Sequence, residues 1–337
     1  MNYIYCTSPD EWESHLQNFP EANFLQSWQW GEFQESLGKQ VSRLVLTDIS
    51  KIIGVAQIIR EPAKRGAYLA IPGGPLIDWT HQPAVQKLFQ ELVKLSKVQR
   101  CLFIRFRPQI EQDLALSQIF EKIGARVAPM HLTAELTIEI DLTKSNEVLK
   151  AEMRKQHRQA LKKAQELGII VKQSQNKNEL ALFYREQLAV AKRQGFVPFT
   201  EQFLLKQFDA FVVHDQVVLF HAYYQDILLA SAFVIFCNGE AVYHYGISTS
   251  ENKNYPGSYA CQWEIIQEAK RRGCSRYNLW GVSPKDAVKH RFYGVGLFKR
   301  GFGGSEKQYV FAHDLPVSWK YWFTWIFEIA RKKLRRL

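Results

Sequence analysis

The residues best suited to chemistry lie near the end of the chain, where two cations and two aromatics stand among glycines. This segment reads Gly296-Leu297-Phe298-Lys299-Arg300-Gly301-Phe302-Gly303-Gly304. Glycines let the backbone approach a ligand closely, and backbone N–H groups beside a lysine suit an anionic centre. Because its spacing matches none of the standard nucleotide-binding loops, we predict a glycine-flanked loop that presents Lys299 to another kind of anionic group.

Two aromatic strand ends offer a cleft for such a group. Tyr243-His244-Tyr245-Gly246 and Asn278-Leu279-Trp280-Gly281 each end a predicted strand, and the two strands are expected to be neighbours. Ligands of α/β folds often bind beyond strand ends, so these side chains are predicted to line one cleft with Phe298 and Lys299. Packing in a hydrophobic core is the alternative for aromatic residues at such positions.

A strand, a turn and a helix between Tyr243 and Arg272 form the arrangement in which GNAT acetyltransferases hold the pyrophosphate of coenzyme A. The turn here is Asn254-Tyr255-Pro256-Gly257-Ser258. Proline removes one of the N–H donors that such a cradle uses, so an ordinary loop and helix cap is favoured over a coenzyme A site.

A basic segment, Leu149 to Leu167, is predicted to form one long amphipathic helix with its Lys and Arg residues concentrated away from the apolar stripe. A solvated surface and a phosphate-binding surface both fit this pattern. The net charge of +11 likewise fits RNA, nucleotide phosphates or an anionic membrane as partners.

Composition narrows the classes further. The 337 residues are 46% hydrophobic, enough for two domains with cores of their own. The five cysteines are scattered without metal-ligand spacing, and neither a signal sequence nor a long apolar run is evident. We therefore expect a cytoplasmic protein with reduced thiols and no metal site, neither secreted nor membrane-spanning.

Two similar series of elements must position these residues. In the first, strand hairpins precede a helix at Pro83 to Lys97 and a strand at Cys101 to Phe106. The second contains strands at Phe208 to Tyr224, Ile227 to Cys237 and Ala241 to Ile247, a helix from about Ser258 to Arg272, and a strand at Arg276 to Trp280. A meander, a helix and a strand, found twice, predict an α/β protein of two related units with mixed sheets flanked by helices.

The end of the chain is aromatic first and cationic last. Asp314-Leu315-Pro316 is predicted to begin a helix, and a cationic cluster from Arg331 to Arg336 ends it. The aromatic residues between them are Trp319, Tyr321, Trp322, Phe323, Trp325 and Phe327. Contact with an anionic membrane surface and packing against the first domain both fit this pattern.

Several of these motifs, in this order, resemble the Fem family (FemABX) of aminoacyl-tRNA-dependent transferases that build peptidoglycan interpeptide bridges. The resemblance covers nearly the whole chain. It is carried by Phe24-Leu25-Gln26-Ser27-Trp28-Gln29-Trp30-Gly31, Ile71-Pro72-Gly73-Gly74-Pro75, Arg154 to Gly168, Arg193-Gln194-Gly195-Phe196, Tyr243 to Gly246, Tyr277 to Gly281, Phe298-Lys299 and Gly301-Phe302-Gly303.

The resemblance implies two GNAT-like domains, 1–144 with 313–337 and 145–312. It implies an aminoacyltransferase that moves Gly, Ala or Ser from tRNA to the stem peptide of a peptidoglycan precursor. The co-substrate would be aminoacyl-tRNA, with no other cofactor, in a monomer that contacts the membrane peripherally at most. The alternatives are an acyl-CoA-dependent N-acyltransferase on the same scaffold and a non-catalytic protein that binds RNA or membranes.

The resemblance also assigns roles to individual residues. Lys299 and Phe298 would be catalytic, with Lys299 stabilising negative charge that develops on the ester. The residues expected to bind substrate are Tyr243, Tyr245, Arg193, Trp30, Gln34 and Trp280. Those expected to contact tRNA phosphates are Arg300, Arg154 and Arg158.

The chain departs from the family pattern at three positions. Gln34 replaces a lysine that is frequent in members using the soluble nucleotide-linked substrate, and Arg107 precedes Pro108 where an acidic residue is frequent. Asn278 stands where aspartate is common. These departures favour lipid II over a UDP-linked muramyl peptide as the acceptor.

Overall fold

The computed structural model describes residues 1–49, 51–195, 197–290 and 292–335. Phe196 and Arg336, which belong to two of the motifs above, lie outside the described residues. The chain divides into two compact units: Met1–Glu135 with Gln308–Leu337 form unit 1, and Leu136–Lys307 form unit 2. The first boundary between the units lies before Leu136, earlier than the predicted boundary after residue 144, because the strand that begins at Leu136 pairs within the sheet of unit 2.

Unit 1 begins with a meander and continues with a helical crossover. Its N-terminal elements are β1 (Asn2–Tyr5), α1 (Pro9–Leu16), α2 (Trp28–Ser36), β2 (Gln40–Asp48), β3 (Lys51–Glu61), β4 (Tyr68–Gly73), β5 (Leu76–Ile77), α3 (Gln82–Val98), β6 (Phe103–Pro108), α4 (Leu114–Lys122) and β7 (Arg126–Val127). The Ser27 side chain caps α2 by accepting the Trp30 N–H, which is a standard way to satisfy the first turn of a helix.

Unit 2 repeats this plan with more helices. Its elements are β8 (Leu136–Asp141), α5 (Asn146–Glu152), α6 (Lys155–Glu166), β9 (Ile170–Ser174), α7 (Asn178–Gln194), α8 (Glu201–Val212), β10 (Val217–Tyr224), β11 (Ile227–Cys237), β12 (Glu240–Ser248), α9 (Gly257–Arg271), β13 (Arg276–Asn278), α10 (Tyr293–Arg300) and β14 (Ser305–Gln308). The chain then returns to unit 1 with β15 (His313–Pro316) and α11 (Tyr321–Arg335).

Each unit contains one mixed sheet. The strand order is β1-β2-β3-β4-β6-β15-β7 in unit 1 and β14-β8-β13-β12-β11-β10-β9 in unit 2. The parallel neighbours are β4 and β6, joined through α3, and β12 and β13, joined through α9. The predicted meander, helix and strand, present twice, are therefore confirmed, as is the α/β class with helices flanking mixed sheets.

Apolar side chains of the sheets and helices form the core of each unit. In unit 1, Leu88 and Leu92 of α3 pack with Ile104 and Phe106 of β6. In unit 2, Ile265 of α9 packs in a cluster with buried residues of the strands and of the helices that cover the sheet. Among the described residues, no helix is long and apolar enough to cross a lipid bilayer.

Three predictions that concern the helices and strands drawn from the sequence are wrong. Phe208 lies in α8 rather than in a strand, because the helix is capped by Thr200 and buries Leu204, Phe208 and Phe211 at helical spacing. The basic segment forms two helices, since the backbone at Met153 and Arg154 is extended.

The third error concerns the end of the chain. Asp314 does not begin a helix: it lies in β15, and its carboxylate accepts hydrogen bonds from Arg105 of the neighbouring strand β6 at 2.6 and 2.8 Å. The final helix begins only at Tyr321.

Candidate active site

A cavity of about 900 Å³ opens in unit 2 where the parallel strands β12 and β13 separate. The two strands pair only from Glu240 to Val242 on β12, whereas β12 itself continues to Ser248. The cavity is lined by the second half of β12, the start of α9 and the end of α10, including Tyr243, His244, Ser258, Tyr259, Phe298 and Lys299. A cavity therefore lies where the cleft was predicted, with Tyr243, Phe298 and Lys299 in its lining, but Tyr245 and Trp280 of the predicted lining are not part of it.

A bulge in β12 decides which aromatic side chains face this cavity. Val234 of β11 pairs with Tyr243, but the preceding Phe233 pairs with Tyr245, so His244 is the extra residue. On a regular strand, residues i and i+2 lie on the same face of the sheet, but the bulge places Tyr243 and Tyr245 on opposite faces. Tyr243 lines the cavity with His244, and burial lowers the pKa of His244 to about 3, so its ring is neutral at pH 7.

Tyr245 packs on the opposite face of the sheet. Its hydroxyl donates to the buried Gln207 Oε1 of α8 at 3.0 Å, and its ring lies 5.5 Å from the rings of Phe199 and Phe233. The structure thus brings Tyr243 to Lys299 and leaves Tyr245 away from them. The sequence contains no signal for the bulge, since the strand residues around it are all compatible with regular pairing.

Lys299 lies on a helix rather than in the predicted loop. Residues Tyr293–Arg300 form α10. In the last turn of a helix the backbone N–H groups donate to carbonyls of the preceding turn, so those of Phe298 and Lys299 are not available to an anion. The Lys299 ammonium donates to the Gly281 carbonyl at 2.9 Å and lies 5.5 Å from the centre of the Tyr243 ring. Burial at the cavity wall lowers the pKa of Lys299 to about 7, so charged and neutral forms coexist at neutral pH.

A left-handed residue aims the carbonyl that receives Lys299. Trp280 has a φ of 60°. Residues other than glycine adopt this left-handed conformation at a cost in energy, and such residues are frequent at functional sites. Its N–H is held by Asn278 Oδ1 at 2.9 Å, and its ring lies 5.6 Å from that of His244. Trp280 therefore supports the site through its backbone turn and a ring contact with a cavity residue.

The amide at position 278 also explains a departure from the family pattern. Asn278 Nδ2 donates to the buried Glu240 Oε1 at 3.0 Å, while its Oδ1 accepts from Thr137 and Trp280. An aspartate at this position would place a second carboxylate against Glu240 and could not donate to it. The amide is thus matched to the acidic partner that this chain carries.

His157 fixes the end of α10, and sequence reasoning missed it. Its Nε2–H donates to the Phe298 carbonyl at 2.9 Å, and its ring contacts Tyr259 and Phe302 at 4.9 and 4.8 Å. Burial lowers the pKa of His157, which keeps the ring neutral for this role. A Cβ at Gly301 would lie 1.8 Å from the ring, so the glycine permits this contact; in the sequence it reads only as loop composition.

Arg300 points into the protein. Its side chain is buried, with Nε donating to Glu306 at 2.7 Å and a terminal nitrogen donating to the Ser283 carbonyl at 2.6 Å. This arrangement holds the segment after β13 against the end of α10. Contact of Arg300 with tRNA stays a prediction, and the interactions observed here are structural.

The other predicted cations of unit 2 are exposed. Arg193 at the end of α7 donates to the carbonyl of Ser248, a cavity residue, at 2.9 Å. Arg154 begins α6, and Arg158 donates to the carbonyls of Ala151 and Met153 at the end of α5. Arg193 is therefore beside the cavity, whereas Arg154 and Arg158 lie on the basic surface of α5 and α6.

Trp30 and Gln34 lie on α2 of unit 1. The Trp30 ring contacts Phe24 and Phe33 at 5.4 and 5.2 Å, and the buried Gln34 Oε1 accepts from Lys39 Nζ at 2.8 Å. Lys39 also pairs with Glu61 at 2.7 Å. The lysine beside Gln34 is therefore ion-paired with Glu61.

The start of α9 differs from an open pyrophosphate cradle. The N–H of Gly257 donates to Tyr255 O at 2.7 Å, that of Ser258 to Asn252 Oδ1 at 2.7 Å, and that of Tyr259 to Pro256 O at 3.2 Å. These three donors are occupied within the chain, whereas an anion at a helix N-terminus needs them free. The sequence indicated the loss of one donor at Pro256; the structure shows that its neighbours are engaged as well.

Taken as chemistry, the cavity offers a buried ammonium in equilibrium with its neutral form beside aromatic walls. Such a group can donate to an oxygen on which negative charge develops, and its low-dielectric surroundings strengthen that interaction. Within the described ranges, no cluster of three or more His, Cys, Asp or Glu side chains is placed to hold a metal ion.

Comparisons of sequence point to one family. A model of the FemAB family matches residues 7–225 and 215–328. A lipid II:glycine glycyltransferase from Staphylococcus saprophyticus is 19% identical over 363 residues, covering 86% of this chain and 87% of that protein. Aminoacyltransferase FemA from Staphylococcus aureus is 37% identical over 79 residues, 23% of this chain and 19% of FemA.

Solved structures agree in fold. The crystal structure of FemX superposes with a TM-score of 0.88 at 16% identity, over 97% of this chain and all of that one. L-PGS from Bacillus licheniformis gives 0.58 at 15% identity, over 96% of both chains. A tandem GNAT protein from the clavulanic acid pathway gives 0.56 at 10% identity, over 93% of this chain and 97% of that one. The predicted pair of GNAT-like domains is thereby confirmed.

Proposed function

The chain belongs to the FemAB family, and on that premise we propose that it transfers an amino acid from aminoacyl-tRNA to the stem peptide of a peptidoglycan precursor. It is a transferase, as the names of its relatives indicate. The proposed donor carries Gly, Ala or Ser, and the proposed acceptor is lipid II. The observation that carries this proposal is the buried Lys299 ammonium at the wall of the cavity in unit 2.

The reaction requires few protein groups. The neutral amine of the stem peptide attacks the ester carbonyl, so that a C–N bond forms and the carbonyl oxygen becomes an oxyanion. The tetrahedral intermediate then collapses: the C–O bond to the tRNA ribose breaks, and the ribose oxygen takes the proton that the amine loses. A protein contributes by aligning the reactants and stabilising the oxyanion.

Lys299 is suited to the second task. Its hydrogen bond to the Gly281 carbonyl holds the ammonium in place. Because Lys299 lines the cavity, a substrate in the cavity can reach its side chain. Phe298 contributes through its carbonyl, which ties the end of α10 to His157, and through its ring at the cavity wall. Tyr243 completes this wall, and Arg193 supports its edge through Ser248.

Three features support the choice of donor and acceptor. The exposed cations Arg154 and Arg158 on the basic surface of α5 and α6 are proposed to contact tRNA phosphates, because such contacts need accessible guanidinium groups. Gln34, in place of the lysine frequent in users of the nucleotide-linked substrate, supports lipid II as the acceptor. The occupied donors at the start of α9 argue against acyl-CoA as the donor.

The decisive experiment presents the purified protein with a mixture of charged tRNAs and either lipid II or the UDP-linked muramyl pentapeptide. Mass spectrometry of the muropeptide then identifies the added residue. We expect the mass of one amino acid on lipid II, lost when the tRNA is first deacylated. Modification that depends on acetyl-CoA and not on charged tRNA would overturn the proposal, as would no modification of either acceptor.

A further inference from the structure

The last helix of unit 1, α11, turns its apolar side toward solvent. Trp319 just before it is 68% exposed, and Phe323 and Ile326 within it are 63% and 60% exposed. Trp322 and Phe327 are exposed as well. These five side chains recur at helical spacing and form one surface, called here the aromatic stripe.

The opposite side of α11 is polar and buried. The Tyr321 hydroxyl donates to Asp314 Oδ2 at 3.1 Å, and Glu328 accepts from Arg105 at 2.7 Å. Arg105 also donates to Asp314 at 2.6 Å, so strands β6 and β15 and the helix share one ionic network. This network fixes the rotation of α11 about its axis, and rotation to bury the aromatic residues would break it.

The polarity of α11 is therefore the reverse of that of an ordinary surface helix, which buries its apolar stripe and exposes its charges. Soluble proteins seldom expose several large apolar side chains side by side, and such a patch marks an interaction surface. The partner must offer an apolar phase to Trp, Phe and Ile.

Cations border the aromatic stripe. The Arg126 guanidinium lies 4.3 Å from the centre of the Trp322 ring, and that of Arg65 lies 3.3 Å from that of Phe327. Arg331, Lys332 and Lys333 follow in the last turns of the helix. Aromatic rings favour the level of the lipid headgroups, and cations beside them meet the lipid phosphates. A bilayer with anionic headgroups satisfies both sets of side chains at once.

We propose that the aromatic stripe of α11 and its bordering cations form a docking surface for the headgroup region of an anionic lipid bilayer. The helix lies in the membrane plane and does not cross the bilayer. This inference does not depend on the proposed transferase activity, because membrane binding is measured without tRNA or acceptor.

The test is co-sedimentation of the full chain with vesicles of phosphatidylcholine alone or mixed with phosphatidylglycerol. We expect the partition coefficient to be at least about tenfold higher on the anionic vesicles and to fall at high salt. The double variant Phe323→Ser/Ile326→Ser should lose at least about tenfold in binding to anionic vesicles, because it removes the centre of the stripe.

A matched control removes apolar side chains of similar exposure elsewhere. Val98→Ser/Val213→Ser changes residues that are 80% and 79% exposed and lie outside the stripe, so its binding should equal that of the unaltered protein. Equal binding by the two double variants would overturn the proposal, as would failure of the unaltered protein to bind anionic vesicles. A dimer that the stripe variant dissociates, with no vesicle binding, would assign the stripe to a second copy of the chain instead.

Discussion

The two units follow one plan and treat the equivalent position in opposite ways. In unit 1 the parallel strands β4 and β6 remain paired from Leu69 to Gly73, which is the end of β4. In unit 2 the pairing of β12 and β13 stops at Val242, and a cavity opens beyond it. The difference lies in whether the chain itself fills the space beyond the strand ends.

In unit 1, buried amides fill that space. Asn23 Nδ2 donates to Gly73 O at 2.9 Å, and Gln26 Nε2 donates to Pro72 O at 2.8 Å. Gln26 Oε1 accepts the Gln57 N–H at 2.8 Å, and Gln57 Oε1 in turn accepts from Arg43 at 2.9 Å. Two of the motifs found in the sequence thus bind each other, and their polar atoms are matched within the chain.

In unit 2, by contrast, the buried cation borders open volume. Lys299 keeps one hydrogen bond to the chain and has a strongly lowered pKa, whereas the amides of unit 1 are held from several sides. Buried polar residues of one family motif are therefore bonded to the rest of the chain, whereas the buried lysine of another borders a cavity that a ligand can enter. Partners and open volume distinguish them, and residue type does not.

The largest effect should come from Lys299→Met. Removing one donor to an oxyanion lowers turnover about 10²- to 10³-fold, or about 3–4 kcal/mol in the barrier. The melting temperature should not fall, since a buried charge is replaced by an apolar side chain of similar length. Lys97→Met, on an exposed residue of unit 1, is the control; normal turnover in Lys299→Met would remove the contrast between the units.

The next effect should come from Gln26→Ala in unit 1. This substitution leaves the Gln57 N–H and the Pro72 carbonyl buried without their partner, which lowers the free energy of unfolding by about 2–3 kcal/mol. Turnover per folded molecule should stay normal in this variant. Denaturant unfolding beside Gln112→Ala, an exposed site, provides the measurement, and a stability equal to that control would contradict a structural role for the network.

A third test uses pH. The folded pKa of Lys299, about 7, lies below its ordinary value of 10.5, so the unfolded chain binds one more proton between these values. The free energy of unfolding should therefore rise with pH in this window by up to about 1.4 kcal/mol per pH unit relative to Lys299→Met. Below about pH 7 both states carry the proton and the two curves should run parallel. Parallel curves throughout would mean that Lys299 is not desolvated.

The smallest effect separates the two tyrosines of β12. Tyr245→Phe removes the hydrogen bond to Gln207 and should lower the free energy of unfolding by about 1 kcal/mol without changing turnover. Tyr243→Phe changes a residue of the cavity wall and should lower turnover. Steady-state kinetics of both variants measure the difference. A greater loss of turnover in Tyr245→Phe would contradict the assignment of Tyr243 to the cavity and of Tyr245 to the opposite face of the sheet.

The sequence predicted the features that depend on local pattern. Strand and helix order, the duplication and the cleft beyond the strand ends follow from apolar periodicity and turns, as at Pro83 to Lys97 and Arg276 to Trp280. The sequence did not predict that Lys299 lies on a helix, because Gly294, Gly296 and Gly301 have low helix propensity. Tertiary packing of the end of this helix against His157 stabilises it, and the local sequence does not show that contact.

Features that arise from pairing between distant segments could not be predicted. The bulge at His244 exists only relative to β11, and the left-handed turn at Trp280 depends on Asn278 as its partner. The ion pair that draws Asp314 into β15 likewise joins residues far apart in the chain. Each of these depends on a partner that a local window of sequence does not contain.

The close approach of His157 to Gly301 has a consequence for inheritance. Because a Cβ at position 301 would lie 1.8 Å from the imidazole, Gly301 cannot be replaced while His157 stays, whereas a smaller residue at 157 leaves room for either residue at 301. Among descendants of this gene, a side chain at 301 should therefore follow a smaller residue at 157, whereas the change at 157 can come first. The order of such changes is thus constrained by the contact between a helix of the basic segment and the end of the helix that carries Lys299.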